Sequence, residues 1–158
     1  MAHSVLAGIA AGAAGTTALN TVGYLDMLVR ARPSSTTPED TVRRAEDATG
    51  VTLSSDGADS ETASNRRSGV GALLGIAAGL GTGALYGLVR PRLGEVPLAV
   101  LGVGAGLVAN VGTTGPMALA GITDPREWPA SSWLADLVPH LTYGLVTAAV
   151  WELARGRR

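Results

Sequence analysis

Four long runs of this chain carry no charged residue. Ser4–Leu25 has 22 residues, Ser68–Val89 another 22 and Val96–Thr123 has 28. Each exceeds the roughly 20 residues an α-helix needs to cross about 30 Å of hydrocarbon. A fourth run, Leu137–Trp151, has 15 uncharged residues. It reaches spanning length only if it starts near Trp133 and carries Asp136 and His140 inside it. Trp133 and Trp151 then stand at its ends, where amphipathic rings sit at the membrane–water boundary. The runs are too long for strands and do not alternate. The expected fold is all-α, an integral membrane bundle of four transmembrane helices at about 4–28, 68–89, 97–121 and 132–153.

Charge is scarce and concentrated. Charged residues make up 16% of the chain, against about 25% in globular proteins. Thirteen of the 25 charges fall between Arg30 and Arg67. The reading is one membrane domain, 1–158, with a polar loop at 30–67. Within that loop Thr37-Pro38-Glu39-Asp40 reads as a helix start: threonine can cap, proline fits the first turn and acids suit the N-terminal dipole. A weak apolar stripe of Val42, Ala45, Ala48 and Thr49 follows, and Gly50 is the stop. A short amphipathic helix is expected over about 38–49, on the membrane surface or against the bundle. Residues 51–66, rich in Ser, Asp, Thr and Ala, read as a mobile linker. Arg90–Pro97 reads as a tight turn and Asp124–Pro129 as a loop at the interface.

The same totals exclude several classes. A net charge of −1 offers no footprint for nucleic acid. The absence of cysteine removes thiol chemistry, disulfides and cysteine-ligated metals. With two histidines, His3 and His140, no metal site and no cofactor is expected, since His140 with Asp136 supplies too few ligands. No nucleophile elbow or phosphate loop follows a strand, which makes an enzyme the least supported class. All 12 basic residues are arginine, which together with abundant Ala, Gly and Val suggests a high-GC bacterial genome and its inner membrane. Met1–Ser4 carries no Lys or Arg, so the first run reads as a retained helix rather than a secretory signal. Arg90, Arg92, Arg155, Arg157 and Arg158 on one side balance Arg30, Arg32, Arg66, Arg67 and Arg126 on the other. The positive-inside rule therefore assigns no orientation.

Two patterns carry physics. The first is a glycine ladder at spacing four: Gly71, Gly75, Gly79, Gly83 and Gly87. Between helices in lipid, close backbone approach replaces hydrophobic drive, so these residues read as helix-packing positions. Gly8 and Gly12 in the first span, and Gly102 and Gly106 in the third, offer matching smooth faces. Packing within one bundle, a homo-oligomer interface or a narrow pore lined by backbone would each use such a ladder. The second is polar. Asp136, His140, Tyr143 and Thr147 share one face of the fourth span at spacings of four, three and four. Ionisable groups inside a span are costly and mark function by default. Imidazole is the side chain that changes charge near neutral pH, and Pro139 frees a backbone carbonyl beside it. Asn20 and Asn110 extend the small-residue stripes of the first and third spans and should face other helices. Asp26 with Arg30 at spacing four reads as an ion pair at the interface. Gly112 to Pro116 invites a helix break. Short repeats (Gly15-Thr16-Thr17 with Gly112-Thr113-Thr114, Tyr86-Gly87-Leu88-Val89 with Tyr143-Gly144-Leu145-Val146) fit two related hairpins.

The stretch from Gly121-Ile-Thr-Asp-Pro through Trp128-Pro129 to Asp136 and His140 resembles the ending of YagU-like bacterial inner-membrane proteins. Those share a Gly-aliphatic-Thr-x-Pro turn, a Trp- or Pro-rich loop, an acid and a histidine one turn later. The chain departs from them in having Asp136 in place of a usual Glu and Pro139 in place of Gly. The resemblance implies a multipass inner-membrane protein, directs attention to Asp136 and His140, and supplies no substrate. The leading expectation is a non-enzymatic membrane protein, homo-oligomeric in the lipid bilayer. Two others stand beside it: a small proton-linked transporter or channel lined by Asp136, His140, Tyr143, Asn20 and Asn110, and a scaffold that recruits a protein partner through loop 30–67.

Overall fold

The computed structural model describes residues 1–53 and 61–156. Among these the chain is helical, with no strand. Five α-helices follow in order: α1 (Ala2–Arg30), α2 (Thr37–Thr49), α3 (Glu61–Val89), α4 (Leu98–Leu119) and α5 (Ala130–Arg155). Short 3-10 turns, Arg90–Arg92 and Pro125–Glu127, lead out of α3 and into α5. Three helices are long and apolar enough to cross a membrane: α1, α3 with its 3-10 extension, and α4. The fourth run is the 26-residue α5. Its Asp136, Pro139, His140 and Glu152 set it apart from the other three.

Several boundaries differ from expectation. The linker expected over 51–66 lies partly outside the described residues, and its last part is helical, because α3 starts at Glu61. Backbone hydrogen bonding does not stop where the apolar run stops, so Arg66 and Arg67 stand inside the helix. In α2 the cap falls on Thr36 rather than Thr37. The Thr37 backbone N–H donates instead to Ser35 Oγ, 3.2 Å away. Gly50 closes α2 in the left-handed region (φ 71°), its N–H on the Glu46 carbonyl. The expected break at Gly112–Pro116 is absent and α4 runs unbroken through Pro116. Pro116 stands in the last turns of α4, where its missing N–H leaves only the Gly112 carbonyl without a helical partner.

α1 packs on both α3 and α5, and α5 packs on both α1 and α4. The order across the bundle is therefore α3, α1, α5, α4. Glycines set the spacing at each crossing. A Cβ on Gly83 would lie 2.6 Å from the Gly12 Cα, and one on Gly87 3.0 Å from the Gly8 Cα. Across α4 and α5, a Cβ on Gly144 would lie 2.6 Å from the Gly106 Cα. Between α1 and α5, Gly15 sits against the Tyr143 ring and carbonyl. The ladder of α3 is thus divided. Gly79, Gly83 and Gly87 pack on α1, Gly71 packs on Pro38 before the body of α2, and Gly75 meets nothing within 4 Å. Gly75 makes no packing contact within the chain.

At the end where the chain termini lie, all four long helices meet. Ala11, Tyr86, Leu101, Ala105, Ala148 and Trp151 form one buried cluster. Trp151 donates its indole N–H to the Ser4 carbonyl at 3.1 Å and meets the Tyr86 ring edge-on at 6.0 Å. Arg90 pairs with Glu152 at 2.6 Å beside the Trp151 ring. At the opposite end α3 and α4 separate, and α2 lies against the outer end of α3.

Candidate functional site

The separation of α3 from α4 leaves a groove of about 950 Å³. It opens at the end where α2 lies. Its α3 wall is mostly small, Gly71, Ala72, Gly75, Ala78 and Gly79, with Ile76 and Thr82 among them. α1 supplies Thr16, Asn20 and Tyr24, α4 supplies Ala109, Thr113 and Met117, and α5 supplies Ala135, Asp136, His140 and Tyr143. The rim carries Arg30, Arg32, the segment from Pro33 to Pro38, and Trp128.

A hydrogen-bonded cluster joins α4 to α5 in the groove. The Asn110 amide donates to Asp136 Oδ2. Asp136 Oδ1 lies 3.6 Å from His140 Nδ1. His140 Nδ1 lies 2.7 Å from the Asp136 backbone carbonyl and its Nε2 lies 3.3 Å from Thr113 Oγ1. The Gly102–Gly106–Gly144 crossing brings these groups together. Gly106 lies directly against the His140 carbonyl, with 2.7 Å between that oxygen and a Cβ placed there. A larger residue at Gly106 would push the imidazole away from Asn110. Pro139 adds one more polar feature, because it cannot donate to the Ala135 carbonyl, and Ala135 lines the groove.

The expected polar face of α5 is divided by depth. Asp136, His140 and Tyr143 reach the groove, while Thr147 is 0% exposed and its hydroxyl donates to the Ala11 carbonyl of α1 at 3.4 Å. Tyr143 forms the floor: it is 1% exposed and its hydroxyl donates to the Gly79 carbonyl at 2.6 Å. One phenol thereby ties α5 to the far wall of the groove. The two asparagines also differ. Asn110 is buried in the cluster, whereas Asn20 is exposed in the groove and makes no hydrogen bond among the described residues. Thr113 and Thr16 also belong to the groove, although the sequence reading placed neither on the polar face. Thr113 stands three residues after Asn110, on the same helix face, and that spacing is the signal that could have found it.

At the rim, Asp26 takes both Arg30 (2.6 Å) and Arg32. The first pairing follows the spacing of four; the second comes from the turn after α1. Two cations against one carboxylate leave the mouth positive. On the interfacial loop, Asp124 accepts from the Arg126 side chain and backbone, which holds its carboxyl below the usual range. α2 is fixed to α3 by a buried pair, Arg67 Nε to Glu46 Oε2 at 2.5 Å. That guanidinium, and after it the Leu53 N–H on Oε1, hold the Glu46 carboxyl below the usual carboxylate range. Among the described residues no three His, Asp or Glu side chains gather as a metal site would need.

Compared with known protein families, curated proteins and solved structures, the chain matches none.

Proposed function

We propose that this chain is a four-span bacterial inner-membrane protein whose groove carries a proton-linked transport site, with Asp136 and His140 as the working pair. The observation behind the reading is that these two ionisable groups open into the groove between otherwise apolar helices. Placing ionisable groups at membrane depth costs about 2.5–3.5 kcal/mol each on insertion scales. α5 counts as the fourth crossing because its 26 residues reach about 39 Å and its polar side chains turn toward α1 and α4. The resemblance to YagU-like proteins over 121–144 supports the same inner-membrane placement. The glycines that pack on α1 are used within one chain, so a homo-oligomer would assemble through another face.

The test is proton movement in liposomes holding an internal pH dye, after an imposed pH step. Wild-type protein should pass protons, and both His140→Ala and Asp136→Asn should abolish the flux. Wild-type liposomes no different from empty ones would overturn the reading.

A further inference from the structure

We infer that Thr113 is a positioning residue whose hydroxyl turns to match the charge state of His140, so that the ring is fully hydrogen-bonded with or without its second proton. The inference rests on the proton-linked reading of the groove and adds how that proton is held.

The argument is one of donors and acceptors. The Asp136 backbone carbonyl can only accept, and it lies 2.7 Å from His140 Nδ1. Nδ1 therefore carries a hydrogen in the neutral ring. The Asn110 amide, 3.4 Å from Nδ1, cannot donate there and gives its hydrogen to Asp136 Oδ2. That leaves Nε2 as the lone-pair nitrogen that takes up the second proton. Its partner is Thr113 Oγ1 at 3.3 Å. The same oxygen lies 3.0 Å from the Ala109 carbonyl and 3.1 Å from the Asn110 carbonyl. A hydroxyl has one hydrogen and two lone pairs. Facing a neutral ring, it donates to Nε2. When Nε2 takes a proton from a hydronium ion, water is released and the ring gains one positive charge. The hydroxyl then turns its hydrogen to a carbonyl and accepts from Nε2–H. No heavy atom moves and no buried polar group is left unpaired, the condition that makes charge changes costly elsewhere in a bundle.

The other groups facing the ring are known by element. α5 supplies the Asp136 carboxylate and Tyr143, α1 supplies Tyr24 and Arg30, and the turn after α1 supplies Arg32, with Asp26 beside the two arginines. The α3 wall and the α4 lining contribute no titratable side chain to the groove. Asp136 is the one anion in the cluster.

The test uses ¹⁵N-histidine-labelled protein in lipid vesicles, carrying His3→Gln so that His140 is the sole histidine. ¹⁵N NMR is recorded from about pH 8 to about pH 5. The neutral ring should carry its hydrogen on Nδ1. At the wild-type midpoint, Thr113→Val should lower the ratio of charged to neutral ring about five- to tenfold, the difference between a charge-assisted and a neutral hydrogen bond. Thr113→Ser should restore it. A neutral ring protonated at Nε2, or a Thr113→Val titration superimposed on wild type, would overturn the inference. The tautomer and the serine variant still decide if the valine variant fails to fold. Correct ring behaviour in a protein that passes no protons would retire the transport reading alone, and flux without it would retire the rotor alone.

Discussion

The two ends of the bundle are built from the same four long helices and differ in what fills the space between α3 and α4. At the terminal end Tyr86 and Trp151 fill it, and Arg90 with Glu152 covers it. At the other end the α3 residues lining the gap are Gly71, Ala72, Gly75 and Ile76, and only Ile76 carries a large side chain. Glycine thus does opposite things along one helix. Where a partner backbone is close it makes a tight seam, and where none is close it leaves room. A site reachable from one side only needs both.

The sharpest way to break this comparison is chemical access. Cysteines introduced singly into this cysteine-free chain at Asn20 and at Thr147 should differ completely. A hydrophilic thiol reagent should label the first and leave the second untouched, since Thr147 is sealed against α1. Equal labelling would mean that Tyr143 is not a floor. Next comes stability in detergent. Gly83→Val places carbon against the Gly12 backbone and should cost about 3 kcal/mol or more, because backbone cannot give way. Gly75→Ala should stay within about 0.5 kcal/mol of wild type, or gain from helix propensity. A smaller contrast separates the tryptophans. Trp151→Ala should cost about 2–3 kcal/mol in thermal unfolding, less than in a soluble core because lipid replaces water around the separated helices. Trp128→Ala, at the open rim, should cost about 1 kcal/mol, the worth of its contact with Trp133.

The smallest effect is confined to the open end. The folded protein holds the Glu46 carboxyl below its usual range, so this contribution is present above the ordinary glutamate value, about 4.3, and is lost as pH falls below it. Hydrogen exchange in α2, corrected for intrinsic rate, should rise below that pH while the Trp151 end stays protected. Glu46→Gln should make α2 exchange rapidly at every pH.

The helical class and three of the four apolar runs were legible because uninterrupted apolar length has one structural outcome. The division of the ladder was not. Residues four apart drift about 40° per step, so Gly71 and Gly87 point about 160° apart. Spacing alone cannot say that one rung meets α2, the next meets open space and the last three meet α1. The α5 face was legible from spacing. That Asp136 and His140 meet Asn110 and Thr113 depends on which helix α5 crosses, and the crossing is set by Gly102, Gly106 and Gly144 together. The helical Glu61–Arg66 was read as linker because its Ser-, Thr-, Asp- and Ala-rich surroundings lack an apolar face, whereas the helix is held there by Arg67 docking on Glu46.

α3 is longer than a membrane is thick. Its 29 residues reach about 43 Å, and its uncharged portion from Ser68 accounts for about 33 Å of that. The remaining two turns, residues 61–67, extend beyond that apolar run like a handle. α2 is gripped there by Arg67, and the segment from Pro33 to Pro38 that roofs the groove leads directly into it. Tilting α3 away from α4 would therefore carry the roof in the same stroke. Width and cover of the groove thus rest on one helix.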